Sequence, residues 1–376
     1  MAPPRRQPEL IEDAISEILL RALPDEPAEL VRASLACKLW RRILTDPVFL
    51  RRYREFHRTP PLLGFFHNLK DGRTPRFVPT TTASSPVPQP EFDGHDWWAY
   101  DCRHGRVLLG LGSRRDGPDG FVVWDPITGD QHRLPRPYGD WHLYGTSAVL
   151  CAVASCNHRN CHAGPFNVVY MGSYYDDIAG CWIIQASVYS SETGMWAKSA
   201  SLDFNCTCYS TSRALIGDVL YFTILGGKRI LQYELNKNCL SVFDSPDMCE
   251  EGAFLMQMED GSIGISRIRG SSIYLWSRNV NPEGVVGWVQ CKVIGLDKIK
   301  MLPPDDCCNG AYIFGSADNI GVMFIRTYLG VFTFDFKSGQ ARKVSKPIKC
   351  CAAIPFTSFY TPDCASKKLP SPVEAH

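Results

Sequence analysis

Val123-Trp124-Asp125-Pro126-Ile127-Thr128-Gly129 reads as an apolar strand running into a tight turn, and the chain repeats the phrase. It returns as Val188-Tyr189-Ser190-Ser191-Glu192-Thr193-Gly194-Met195-Trp196, Leu231-Gln232-Tyr233-Glu234-Leu235, Leu275-Trp276-Ser277-Arg278 and Phe332-Thr333-Phe334-Asp335-Phe336-Lys337-Ser338-Gly339. With Trp124, Tyr189, Tyr233, Trp276 and Phe334 as markers, the intervals are 65, 44, 43 and 58 residues. A four-stranded propeller blade takes roughly 40–50 residues, so each interval holds one blade, some with long loops. One blade cannot bury both its faces; stacking neighbours around an axis does so, and closure protects the edges. Five such units, plus one assembled from Leu62–Val78 and a final strand Cys351–Tyr360, predict a six-bladed ring closed by the two ends of the propeller segment.

Outward from these markers the same period of two continues. Strand-like runs at Arg106–Gly110, Phe121–Trp124, Val149–Ala154, Asn167–Met171, Trp182–Tyr189, Asp218–Leu225, Ile230–Leu235, Ser262–Ile268, Ile273–Trp276, Ala311–Phe314, Ile320–Ile325 and Val331–Phe336 are separated by turn residues. The stretch 59–96 is rich in Pro, Thr, Ser and Gly and suits a linker with one early strand, Leu62–Phe66.

Upstream the period changes. Ile15, Ile18, Leu19 and Leu23 fall on one helical stripe, which Pro24 and Pro27 end; Val31, Leu35 and Leu39 make a second; Asp46-Pro47 opens a third helix carrying Phe49 and Tyr53. Residues 9–29 carry seven acids and one base, net −6, whereas residues 38–58 carry seven bases and two acids, net +5. Three short helices enclose little volume, and so much apolar material predicts a face that awaits a partner. The fold class expected is therefore α+β as separate domains: a disordered 1–7, a small three-helix module at 8–58, an all-β propeller at 59–362, and a disordered tail at 363–376.

The helical residues carry a family resemblance. Leu10-Ile11-Glu12-Asp13-Ala14-Ile15-Ser16-Glu17-Ile18-Leu19-Leu20-Arg21-Ala22-Leu23-Pro24, then Leu30-Val31-Arg32-Ala33-Ser34-Leu35-Ala36-Cys37-Lys38-Leu39-Trp40-Arg41-Arg42, then Asp46-Pro47-Val48-Phe49, resembles the F-box. Ile11 stands where the opening proline is usual, and Arg21-Ala22-Leu23-Pro24 is one residue longer than the family's R-L-P. Asp125-Pro126-Ile127-Thr128-Gly129, the Tyr189–Trp196 run, Leu215–Phe222, Glu259–Gly264, Leu275–Arg278 and Pro355–Pro362 resemble the kelch-like F-box-associated domain of plant F-box proteins. The resemblance implies a substrate-recognition subunit of an SCF-type ubiquitin ligase. Its F-box would dock on a Skp-type adaptor, through it on cullin and RING subunits, and its propeller would capture an unknown protein substrate. The adaptor-binding residues implied are Leu10, Ile15, Ile18, Leu19, Leu23, Pro24, Leu30, Val31, Leu35, Cys37, Lys38 and Trp40, each weighed evenly against core packing. The alternative is a ligand- or glycan-binding propeller whose F-box serves only scaffolding or turnover.

For the substrate face, loops rich in aromatics are the candidates: Trp97, Trp98, Tyr138, Trp141, Tyr174 and Tyr175. Packing between blades is the favoured reading of each. No catalytic residue and no cofactor are expected. Asp176-Asp177 and Asp305-Asp306 fit turn caps better than acid–base pairs, and Gly226-Gly227-Lys228 lacks the spacing of a phosphate loop. Cys156, His158, Cys161 and His162 sit within seven residues, denser than the separated pairs of zinc domains, with Cys151 on a neighbouring apolar strand. They are read as a loop with unpaired thiols and no metal. The pairs Cys307-Cys308 and Cys350-Cys351 are read as small buried or strand-end residues.

Composition sets the outer limits. The 376 residues are 45% hydrophobic and 21% charged with a formal charge of +1, which excludes a chain-wide basic footprint for nucleic acid and an acidic solvating tail. The basic run 38–58 is read as a solvated face, not a nucleic-acid patch. Acids at 9, 12, 13 and 17 break the first apolar stretch, so no signal peptide is expected, and no uncharged run reaches a membrane span. The 16 cysteines are then reduced thiols of a protein in the cytoplasm or nucleus.

Overall fold

The computed structural model describes residues 12–69, 74–80, 87–89, 92, 96–112, 119–137, 143–154, 156–158, 161, 164–204, 212–246, 252–280, 284–296, 311–317, 320–348 and 350–362. Expectations for residues 1–7, Leu10, Tyr138, Trp141, His162, Asp305-Asp306, Cys307-Cys308 and 363–376 lie outside them.

The helical module has four helices where three were expected: α1 (Glu12–Leu20), α2 (Pro27–Ala36), α3 (Lys38–Thr45) and α4 (Pro47–His57). The i+4 stripe Val31, Leu35, Leu39 does not run through one helix, because Cys37 is extended (φ −159°, ψ 164°) and its thiol accepts from the N–H of Trp40 at 3.5 Å, capping α3. Pro27 also differs from expectation. It opens α2 at the first helical position, where its missing N–H costs nothing, and Leu23 lies beyond the end of α1. Asp46 caps α4 as its sequence predicts, accepting from the N–H of Val48 at 3.1 Å with Pro47 following. The divided charge also finds its cause: Arg42 bonds Glu12 at 2.6 Å and Arg52 bonds Glu17 at 2.5 Å, joining acidic α1 to the basic helices. Ile15, Leu19, Leu20, Leu30, Ile43, Leu44, Phe49, Leu50 and Tyr53 form the module's core, into which Phe359 from the far end of the chain is packed.

The rest is a six-bladed β-propeller. Blade 2 is β3 (Trp97–Arg103), β4 (Arg106–Leu111), β5 (Gly120–Trp124) and β6 (Gln131–Leu134); blade 3 is β7 (Leu143–Cys151), β8 (Phe166–Asp176), β9 (Cys181–Ser190) and β10 (Met195–Asp203). Blade 4 is β11 (Arg213–Ile216), β12 (Val219–Ile224), β13 (Arg229–Glu234) and β14 (Cys239–Asp244); blade 5 is β15 (Phe254–Gln257), β16 (Ile263–Arg269), β17 (Ser272–Val280) and β18 (Val286–Gly295). Blade 6 is β19 (Tyr312–Ala317), β20 (Val322–Thr327), β21 (Gly330–Asp335) and β22 (Ala341–Ser345). Each is an antiparallel meander, and each of the five markers falls on a blade's third strand.

Blade 1 closes the ring as anticipated. β1 (Leu62–Leu69) lies between β2 (Arg76–Pro79) and β23 (Cys350–Thr357), with Phe66 opposite Phe77 on one side and Ile354 on the other. β23 touches β3 and β19, so it takes the axial place that first strands hold in the other blades. Gly315 on β19 makes this close approach possible: a Cβ there would meet the Ala353 carbonyl oxygen at 2.6 Å.

Six apolar clusters sit at the six junctions between successive blades. Phe66, Trp97 and Trp124 pack between blades 1 and 2, Phe121, Tyr170 and Trp196 between 2 and 3, Met171, Phe222 and Tyr233 between 3 and 4. Ile230, Leu255 and Trp276 follow between 4 and 5, Leu275, Met323 and Phe334 between 5 and 6, and Phe65, Phe324 and Ala353 between 6 and 1. The recurrent turn has a local cause. Asp125 and Asp335 each accept from two following N–H groups through one carboxylate oxygen, and Gly129 and Gly339 supply the left-handed residue that ends the turn (φ 83° and 66°). Asp176 caps a turn in the same way, accepting from the N–H groups of Ile178 and Ala179.

Candidate functional site

The expected adaptor-binding set divides when folded. Ile15, Leu19 and Leu30 are buried in the module's core, whereas Ile18 (57% exposed), Leu23 (61%) and Leu35 (77%) stand in solvent. Pro24, Val31 and Trp40 are half-buried, and Cys37 and Lys38 are exposed. The exposed members follow directly from helix geometry. Ile18 sits at the edge of the α1 stripe, turned from the core that Ile15, Leu19 and Leu20 fill, and Leu35 is on the last turn of α2.

At the propeller axis the chemistry centres on Asp101, buried at a bulge in β3. One carboxylate oxygen accepts from Arg213 Nε at 3.1 Å; the other accepts from Arg103 Nε at 3.1 Å and from the N–H of Val149 at 3.0 Å. Three first strands, β3, β7 and β11, are thereby joined. Burial pushes this carboxyl up, yet the arginines and the N–H groups of Val149 and Cys102 more than offset it and hold the group below its ordinary value. Asp101 is the one carboxylate among the described residues lining the adjoining cavity of about 170 Å³, so that lining presents no acid–base pair for glycoside hydrolysis.

The expected aromatic loops are largely strand. Trp97 and Trp98 begin β3; Trp97 is buried against Phe92, with ring centroids 5.1 Å apart, and Trp98 packs on the blade 2–3 cluster. Tyr174 and Tyr175 end β8, Tyr174 half-buried and Tyr175 exposed edge-on to Trp182. Packing between blades thus accounts for Trp97.

Two features escaped the sequence reading. Val286, Val289 and Val293 are exposed along β18, with Val280 and Val285 just before it; the strand was not anticipated because its solvent side breaks the alternation. The second is the geometry of the thiol and imidazole residues in blade 3, which the sequence names only as a loop with unpaired thiols. The ligand atoms of Cys151, Cys156, His158 and Cys161 all lie within 4.8 Å of one another, since the loop after β7 folds back on that strand's last residue. Burial first, then the Cys151 and Cys156 thiols, push the Cys161 thiol up to about 12. Beside it, burial and then the neighbouring His158 and arginines pull His104 down to about 4. His104 and His158 also line a pocket of about 270 Å³ with Arg54 and Arg58 at the end of α4, where module and propeller meet.

Compared with protein-family models and with curated proteins, the chain matches none. Among solved structures it is similar to the extracellular domain of BT4673 from B. thetaiotaomicron (14% identity, TM-score 0.35), covering 66% of this chain and 27% of that one, so it spans about a quarter of that relative. It is also similar to a functionally unknown protein from Desulfotomaculum acetoxidans DSM 771 (11%, TM-score 0.38, covering 77% and 99%). A chain of a nidogen/laminin complex gives 11% identity and a TM-score of 0.43, covering 77% and 95%. Likenesses this distant say nothing about what the chain does; its propeller is defined by its own sheets. No described helix is long and apolar enough to cross a membrane.

Proposed function

We propose that this chain is the substrate-recognition subunit of an SCF-type ubiquitin ligase, its helical module docking on a Skp-type adaptor and its propeller capturing a target protein. The observation that carries the reading is the exposure of Ile18, Leu23 and Leu35 in a module too small to cover them, beside the Cys37-Lys38-Leu39-Trp40-Arg41 string that resembles the F-box. In this role the chain transfers nothing itself. Holding adaptor and target together raises the concentration of target lysines near the conjugating enzyme carried by the partner subunits.

The test is co-purification of the full chain with a Skp-type adaptor, repeated with Ile18→Asp and Leu35→Asp. These exposed positions are suited to it, whereas the buried Leu19 would unfold the module. Wild type should co-elute with the adaptor as a stable complex. Each variant should bind more weakly by about 30-fold, the scale of a 2 kcal/mol hot spot, with an unchanged melting temperature. A wild-type chain that does not bind, or variants that bind equally well, would sink the reading.

A further inference from the structure

We propose that Cys151, Cys156, His158 and Cys161 bind Zn²⁺ in a closed tetrahedral site of three thiolates and one imidazole. A Zn–S bond of about 2.3 Å and a Zn–N bond of about 2.0–2.1 Å require ligand atoms about 3.5–3.8 Å apart. The four atoms already lie within 4.8 Å of one another, and Cys161 Sγ stands 3.7 Å from His158 Nδ1. Side-chain shifts of about 1 Å or less separate this cluster from a coordination sphere.

The backbone is arranged for the same end. Cys151 ends β7, and the other three ligands come from the loop that leads to β8. Within that loop His158 adopts a left-handed conformation (φ 57°), unusual for a residue with a Cβ, and its N–H donates to Cys156 Sγ at 3.4 Å. An N–H aimed at sulfur stabilises the thiolate more than the thiol.

Outside the four ligands, β4 and the turn before it supply the support such sites use. Buried Arg106 donates to the Cys161 carbonyl oxygen at 2.9 Å and to that of Gly164, fixing the loop around the ligand. His104 stacks on His158 with ring centroids 4.3 Å apart and planes 22° apart, which sets the imidazole plane. Three thiolates and Zn²⁺ sum to one negative charge, and the guanidinium of Arg106 is the adjacent countercharge. Soft sulfur with imidazole selects zinc over oxygen-seeking cations, and four protein ligands leave no open position, so the site is structural. Binding releases protons from the three thiols to solvent and involves no redox step. Its effect falls on the platform where propeller meets α4, because His158 lines that pocket with Arg54 and Arg58.

The experiment is metal analysis of the full, untagged chain purified under reducing conditions without chelator, followed by exchange of its metal for Co²⁺. One zinc per chain is expected. Cobalt should give the intense red-edge d–d bands of tetrahedral coordination, with thiolate charge transfer in the near ultraviolet. Cys156→Ser combined with Cys161→Ser should lose the metal, and His158→Cys should keep it. If the double serine variant fails to fold, the cobalt spectrum of the wild type decides the matter. Absence of both bound zinc and a cobalt spectrum, a six-coordinate spectrum, or zinc retained in a folded double serine variant would overturn the proposal.

Discussion

In the helical module, Ile18 and Leu35 stand in solvent within a few residues of the buried Leu19 and Leu30. In the propeller, Trp124, Tyr189, Tyr233, Trp276 and Phe334 are buried at blade junctions, and its exposed large apolar side chains, such as Ile178, Met195, Val286 and Val289, lie on turns and outer strands. The difference is topological. A blade has a neighbour on each side, so a ring covers both faces of every sheet and completes itself. A few short helices have no such repetition; once their core is filled, the remaining apolar side chains wait for another protein or stay wet. Among the described residues, Phe359 carries the propeller segment into the module's core, since it leaves β23 and packs against Tyr53.

The largest effect should come from breaking the propeller's axis. Asp101→Ala leaves Arg103 and Arg213 without their shared carboxylate and Val149 without its acceptor, a loss of about 3–5 kcal/mol by urea unfolding. The pH dependence has a definite sign. Because the folded carboxyl lies below its ordinary value of 3.8, the stability it contributes is complete above that value and is lost as pH falls through the lower folded one. The gap between wild type and Asp101→Asn should therefore narrow only below pH 3.8. A gap that closes at neutral pH would mean the carboxylate is not the strut described.

How much of this was legible beforehand depended on which side of a sheet a residue serves. Third strands were readable because both faces press on neighbouring blades, leaving aromatic markers at blade-length intervals. Fourth strands such as Gln131-His132-Arg133-Leu134 in β6 and Ala341-Arg342-Lys343 in β22 face solvent, so their pattern is that of a loop. The break at Cys37 was hidden because the i+4 stripe continues through it, and only the extended backbone and thiol cap reveal two helices. Ile18 and Leu19 share one stripe in the sequence, and nothing in periodicity separates a core position from a docking position. The thiol and imidazole cluster was legible only as residues: spacing placed Cys151 on a strand and could not measure how far the loop folds back on it.

A sharper comparison comes from paired truncations inside the module. Leu19→Ala removes a filled core position and should cost about 2–5 kcal/mol, while Leu35→Ala should stay within about 0.5 kcal/mol. Thermal or urea unfolding of the two variants reads this directly. If Leu35→Ala proved as costly as Leu19→Ala, Leu35 would belong to the core and the module would have no unfinished face there.

The smallest effect belongs to the charges that join α1 to the basic helices. Glu17 bonds both Arg52 and Arg21, and the Arg52 hydrogen bond is the main reason its carboxyl lies below the ordinary value. Its contribution is thus present above the unfolded value and fades as pH falls through the folded one. The side chains are wet, however, and solvent and salt screen such pairs heavily. Glu17→Gln should barely move the unfolding midpoint at low ionic strength and leave it unmoved in high salt. A large, salt-insensitive loss would show that the acidic and basic segments hold the helices together. The expected result leaves that work to Leu19, Leu30 and Tyr53, with the ion pairs setting only which helix faces which.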